Sequence, residues 1–465
     1  MKLLRPSAAS VPARRHSGLR LRALALALGA AWLPATSQAQ NLVELFDAAR
    51  GFDASFQSAR AQYDASVARA AQSRAGILPS ANLSAGVSRS QFENNNPPID
   101  RISGSQNATL SASQPLYRPA NRLAYDQGKK SVDVAKAVLQ AAEQDLVVRV
   151  SQAYFDVLGA QDTLAFVRAQ KAAVAEQLAS AKRNFEVGTS TITDAREAQA
   201  RFDLVIAQEI AAENDVRIRR IALDTLVGRN DAAPRPLALP VALPPLQPGD
   251  VAVWVQESES NSPAIAQAAL ALEIAQLETR RARAGHLPTL DLNASYNVTK
   301  SQNGSVQTGS SFTTSTGATD SRTNNASISL AFNLPLFAGF ATQNRIRETL
   351  ALEERAESDL NLSKRSVGQT TRTAFFGVVS GLSQVNALEA SEQSSQLALD
   401  ANKLGYQVGV RINIDVLNAQ SQLFQTKRDL AQARYNVLLG GLRLRQAAGT
   451  LTAQDLLGIN ALLVR

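Results

Sequence analysis

The side chains of this 465-residue chain that could do chemistry are few, and they crowd beside two short turns. Val187-Gly188-Thr189 is followed by Asp194; Val408-Gly409-Val410 is flanked by Tyr406, Arg411, Asp415 and Asn418. Glycine suits such helix-ending turns because it takes positive φ without steric cost. The opposite charges could form an Arg–Asp link worth about 1.5–3 kcal/mol if shielded, or a solvated pair worth about 0–1 kcal/mol. Spacing alone favours the solvated pair. Nucleophilic and metal chemistry lack a cast. There is no cysteine, which excludes disulfides, thiolate sites and a lipid-modified N-terminal cysteine. The histidines are His16 and His286 alone, so neither a multi-His metal site nor a His-based triad is expected. The expectation is a protein that is not an enzyme and takes no cofactor or metal.

Residues 1–39 read as a secretory signal. Arg14, Arg15, Arg20 and Arg22 form a basic stretch, Ala23 to Leu33 a short apolar run, and Ser37-Gln38-Ala39 a small-x-small cleavage pattern. Its removal takes away six basic residues and no acidic ones, so 48 basic side chains fall to 42 against 40 acidic, a net of +2. That balance argues against nucleic acid as a partner, which needs a clustered basic face.

The elements that must position the turns repeat. Phe185-Glu186-Val187-Gly188 returns as Tyr406-Gln407-Val408-Gly409, Asp194 as Asp415 and Gly228 as Gly449, all 221 residues on. Arg74-Ala75-Gly76-Ile77-Leu78-Pro79 returns as Arg283-Ala284-Gly285-His286-Leu287-Pro288 at an offset of 209, so the halves differ in length between those marks. His286 stands where the first half has Ile77, which points to packing or an interface. A repeat this long is a duplicated half-molecule, not a solenoid unit.

Within each half, long amphipathic helix dominates. Val132, Ala135, Leu139, Ala142, Leu146, Val150, Ala153, Val157, Ala160, Leu164 and Val167 follow heptad spacing with one stutter, continuing to Phe185. A helix from about Asn121 to Phe185 would be roughly 100 Å long, which implies a rod or tube. Four segments instead alternate with period two: around Leu83–Val87, Ala108–Ala112, Leu290–Val298 and Ala326–Leu334. Each reads as a strand of about ten residues, the length that crosses a membrane at a tilt. A half-buried soluble sheet would show the same pattern. Polar loops are expected at Phe92–Gln106 and Ser301–Asn325, and prolines Pro79, Pro115, Pro288 and Pro335 should mark the helix–barrel junctions. Four strands cannot close a barrel, and an open sheet is not viable in lipid, so a membrane reading requires several chains to pool strands.

The organisation is then a signal at 1–39, an N-terminal repeat at 40–231 with a hairpin at about 80–114, and a proline-rich connector and equatorial segment at 232–262. A C-terminal repeat follows at 263–449 with a hairpin at about 289–334, then a last equatorial segment at 450–465. Trp254, in the connector, is expected to anchor packing.

At this point the residues carry a family resemblance. Gly285-His286-Leu287-Pro288-Thr289-Leu290-Asp291-Leu292, Gly405 to Gly409 through Ile414-Asp415-Val416-Leu417, Ala433-Arg434-Tyr435-Asn436 and Gly449 to Leu457 resemble the outer-membrane efflux protein family. The resemblance implies a mainly α fold with membrane β. Three chains would form a homotrimer, with a 12-stranded β-barrel in outer-membrane lipid and a coiled-coil α-barrel tunnel in the periplasm. It implies an exit duct for small molecules or type I secreted proteins. The partners would be a periplasmic adaptor protein and an inner-membrane pump of RND, ABC or MFS type. By resemblance Val187, Gly188, Thr189, Val408, Gly409 and Val410 are adaptor-docking tips. Tyr406 and Arg411 would bond towards the neighbouring helix pair near Asp194, and Asp415 would form a carboxylate ring at the constriction. Asn418 departs from the family pattern, which has an aspartate there, and implies weaker cation selectivity. The competing expectation is a periplasmic coiled-coil adaptor or structural rod without a pore. That reading would leave the four alternating segments without a core to pack on.

Overall fold

Alanine-rich heptads build helices far longer than a globular core can use. The computed structural model describes residues 40–95, 98–238, 240–241, 243–302 and 320–464, so the expected signal lies outside the described residues. Helices α1 (Leu42–Phe52) and α2 (Ala54–Arg74) lead into strands β1 (Ser80–Asn95) and β2 (Pro98–Tyr117), then α3 (Pro119–Glu186) and α4 (Ile192–Val227). The plan repeats as α5 (Val251–Asn261), α6 (Pro263–Arg283), β3 (Thr289–Gln302), β4 (Ser321–Asn333), α7 (Ala341–Gln407) and α8 (Asn413–Ala447). A short α9 (Asp455–Asn460) follows. The halves match closely: α3 and α7 have 68 and 67 residues, and α4 and α8 have 36 and 35. At 1.5 Å per residue, α3 and α7 are each about 100 Å long. No described helix is long and apolar enough to cross a membrane.

The heptad seam of α3 is buried as its spacing requires. Leu146, Val150 and Val157 are fully enclosed, and Val167, Val174, Leu178 and Ala181 line the seam towards the Gly188 turn. α4 runs back along α3 from that turn, while α2 packs near the other end of α3, where Asn121 Nδ2 donates to the Gly76 carbonyl at 2.6 Å. The largest apolar cluster lies midway along α3. Phe46 of α1, Tyr154 and Phe155 of α3, Leu223 of α4 and Leu438 of α8 meet Leu451, Leu456 and Leu463 of the C-terminal stretch there. Tyr154 donates its hydroxyl to the Arg235 carbonyl at 2.8 Å, tying the connector to this girdle. Trp254 is buried against Phe375, Val378 and Leu444, and its Nε1 donates to the Pro248 carbonyl at 2.8 Å.

The strands form one antiparallel meander, β1-β2-β3-β4. Register places Leu83, Leu110, Tyr296 and Ala326 in one row, and Ala81, Ala112, Ala294 and Ile328 in a neighbouring row on the same face. The alternate rows are polar: Asn82, Ser111, Ser295 and Ser327 stand opposite one another. Val87 and Ile328 are each 82% exposed and Leu83 is 72% exposed, so the apolar face is uncovered within one chain. The outer edges of β1 and β4 have no strand partner among the described residues.

Two expectations need correction. Phe92–Gln106 is not a loop, because β1 and β2 pair through it as far as Asn95 and Pro98. There the backbone ladder and the Ser88–Ser105 and Ser90–Ser103 hydroxyl contacts, both 2.8 Å, extend the hairpin without apolar alternation. In the second expected loop Ser301–Gln302 and Asp320–Asn325 are described, and all of these but Asp320 belong to strands. Pro79 and Pro288 do precede β1 and β3, each after a 3₁₀ turn, at Ala75–Ile77 and Ala284–His286. Pro115 instead lies inside β2, beside a register shift between Pro115 and Tyr117. A bulge tolerates the missing N–H as well as a boundary does. Pro335 follows β4, and the chain turns into α7 through Gly339 and Phe340, both at positive φ. His286 is exposed at the foot of β3.

Candidate functional site

The two helix-hairpin turns lie at the end of the rod farthest from the sheet, and they share a backbone design. Gly188 and Gly409 adopt φ of 78° and 79°. Thr189 N donates to the Asn184 carbonyl at 2.8 Å, and Val410 N to the Gly405 carbonyl at 2.9 Å, closing each helix end. Nothing would contact an added Cβ at either glycine. Val187, Val408 and Val410 are 72%, 65% and 75% exposed, so both tips present apolar side chains outward.

Beyond the turns the halves diverge. Thr191 caps α4 and forms a reciprocal box with Asp194: Asp194 N donates to Thr191 Oγ1 at 3.3 Å, and Thr191 N to Asp194 Oδ2 at 3.2 Å. Ser190 Oγ donates to the same carboxylate at 2.6 Å. These bonds, that from Ser190 foremost, hold the Asp194 carboxyl below its usual range. In the second turn Ile412 replaces the capping threonine and offers no side-chain bond. Asp415 therefore lacks a reciprocal box, and its carboxylate lies 3.6 Å from Arg411 Nη1, with side chains 33% and 59% exposed.

Asp194, Tyr406 and Arg411 all stand on the walls of one polar cleft of about 770 Å³ between the two turns. The structure does not bring the Arg411 guanidinium to Asp194 within the chain. Asp194 is held by its own turn and Arg411 reaches Asp415. Tyr406 does reach across, its hydroxyl accepting from Asn184 Nδ2 at 3.2 Å. The strongest crossing is one that the sequence reading missed. Asn413, fully buried, donates through Nδ2 to the Asp194 carbonyl at 3.3 Å and accepts from Gln177 Nε2. Asn418 stands one turn beyond Asp415 and accepts from Arg201 Nη2 of α4 at 3.0 Å. The Thr191-x-x-Asp194 spacing is a capping-box signature that could have identified the first turn's bonding. Nothing local to Ile412-Asn413-Ile414 signals burial, because the enclosing helix pair lies more than two hundred residues away.

Comparison with known proteins completes the picture. The model of the family described as "Outer membrane efflux protein" matches residues 45–229 and 254–450. The outer membrane protein TolC of Vibrio cholerae is 32% identical over 423 residues, covering 91% of this chain and 94% of that relative. The alkaline protease secretion protein AprF of Pseudomonas aeruginosa is 30% identical, covering 90% and 86%. Among solved structures, the Campylobacter jejuni CmeC outer membrane channel aligns with a TM-score of 0.74 at 16% identity, covering 98% of each chain.

Proposed function

Because this chain belongs to the outer membrane efflux protein family, we propose that its two open sheet edges are closed by two further copies. A trimeric duct would result, twelve strands in the outer membrane and a helical tunnel in the periplasm. The observation that carries this is the sheet itself. Its apolar face is uncovered, its other face is polar, and the outer edges of β1 and β4 have no neighbouring strand among the described residues. In lipid, backbone donors and acceptors must all be paired, so these edges need copies of each other. Three chains leave a lumen, whereas the eight strands of two would fill with side chains. The same exposed apolar face removes the support for a periplasmic adaptor or rod, which would have to bury it.

Export is the function of this outer-membrane channel: an exit for small molecules, secreted proteins or both. The protease-secretion naming of one relative supports the protein branch, and the efflux naming of the family supports the other. A periplasmic adaptor and an inner-membrane pump would drive it. The exposed valines of both tips support docking there. The cleft between the tips is the entrance gate in this reading. Asn184–Tyr406 and Gln177–Asn413–Asp194 are the links that must part when it opens, and Asp415 faces the narrowest passage. Membrane fractionation and planar-bilayer recording test the whole reading. The expected result is an outer-membrane, SDS-resistant, heat-modifiable trimer with stepwise conductance. A monomer soluble without detergent overturns it.

A further inference from the structure

Several arginines along the long helices meet carboxylates: Arg168 pairs with Glu209 and Glu213, Arg219 with Asp156 and Arg434 with Glu389. Two others do not. Among the described residues Arg201 of α4 has only the Asn418 amide oxygen, and Arg428 of α8 only the Gln425 amide oxygen. Both line one cleft of about 420 Å³ between α4 and α8, floored by α3, and no Asp or Glu side chain lines it among the described residues. Its other polar walls include Gln170, Gln208, Ser421, Gln422 and Gln425. The Arg428 Nε and the Gln208 Oε1 are buried there without a hydrogen-bond partner.

Two cations on facing helices repel, and a buried guanidinium N–H without an acceptor is costly. A ligand with several anionic oxygens removes both costs. Guanidinium groups bind such oxygens in planar, bidentate geometry, and carboxamides supply neutral donors around them. The volume is that of a small-molecule site, too small for a helix; Val174, Leu204, Val205 and Leu417 also line it, but its accessible surface is mainly polar. We propose that this cleft is a binding site for a small polyanion, an oligophosphate or polycarboxylate, bridged between Arg201 and Arg428. The site adjoins Asn418, so on the channel reading above an occupant would sit beside the entrance and oppose its opening.

The experiment uses the detergent-solubilised full-length assembly and tripolyphosphate as probe. Isothermal titration at low ionic strength should show saturable binding that weakens as salt is raised. Arg201→Gln and Arg428→Gln should each weaken it about tenfold or more, the loss expected of one charge-assisted contact. Arg201→Lys, which keeps the charge, should retain part of it. Unchanged heat-dissociation temperatures in the variants guard against misfolding. Absence of saturable binding to the wild type, or equal binding by all variants, overturns the proposal. In bilayers, tripolyphosphate on the tunnel side should reduce wild-type open time but not that of Arg201→Gln. Absence of any conductance steps would count against the channel reading and leave the titration result standing.

Discussion

If the cleft between the turns is the channel entrance, as proposed, replacing Asn413 by alanine should loosen it more than replacing Arg411, the more conspicuous charged residue. Asn413 is fully buried and makes two bonds across the helix pairs, one to the Asp194 carbonyl at 3.3 Å and one from Gln177. Two neutral hydrogen bonds at about 0.5–1.5 kcal/mol each make the loss about 1–3 kcal/mol per chain. That corresponds to a shift of about 5- to 150-fold in the closed-to-open ratio. Tyr406→Phe removes one crossing bond, at 3.2 Å from Asn184, and should cost about 0.5–1.5 kcal/mol. Arg411→Ser removes a 3.6 Å pair whose arginine is 59% exposed, worth about 0–1 kcal/mol. Single-channel recording of the three variants measures the order directly, as open probability at fixed voltage. If Arg411→Ser opens the channel more than Asn413→Ala does, the bonding seen in one chain does not hold the gate. Contacts between copies would then have to.

Other perturbations follow from the same geometry. Asn418→Asp should by itself restore little multivalent-cation block, because Arg201 stands 3.0 Å from that side chain and would neutralise it. Only the double variant with Arg201→Gln should strengthen block in planar bilayers, and equal block in all forms would refute this. Arg118 holds the buried Asp291 of β3 through two bonds of 2.7 and 2.6 Å. Arg118→Ala should therefore destabilise the helix–sheet junction by about 1.5–3 kcal/mol, read as a lower heat-dissociation temperature that Asp291→Asn partly restores. Arg149 makes two bonds of 2.9 and 3.0 Å to Asp53 and holds that carboxyl below its ordinary range. The stability this adds is present above the unfolded pKa of about 3.9 and is lost as pH falls through the lower folded value. Asp53→Asn should flatten that part of the acid-denaturation curve, followed by circular dichroism.

What could be read from residue order was whatever repeats locally. Heptad spacing bounded a helix at Asn121–Phe185, and α3 runs Pro119–Glu186, because a continuous apolar seam leaves no other way to bury it. The four strands were legible from alternation, since one face is apolar and the other polar. Their extension through Ser88–Ser105 and Ser90–Ser103 was not, because backbone pairing continues where side chains carry no alternating signal. The bonding between the two turns was the least legible part. Arg411 and Asp194 suggest a pair by charge, yet each finds a nearer partner. Asn413, an unremarkable amide in sequence, becomes the crossing point only when α3 and α8 are brought together.

The duplication explains why the crossing is one-sided. In the first half Ser190, Thr191 and Ile192 follow the turn; in the second Arg411, Ile412 and Asn413 occupy the same three places. The first set spends its hydrogen bonds locally: Ser190 and Thr191 lock onto Asp194, and Ile192 is 48% exposed. The second set has no local cap, and its one buried amide reaches for the other half. The α4 start is thus fixed by its own sequence, whereas the α8 start is held by contacts that another surface could replace. On the channel reading, the α7–α8 hairpin is therefore the moving leaf and the α3–α4 hairpin its frame. Exchanging the triplets tests this. Ser-Thr-Ile placed at 411–413 should give a self-capped α8, no crossing bond from residue 413, and a gate that closes poorly. If closure is unimpaired, the asymmetry of these turns does not make the gate.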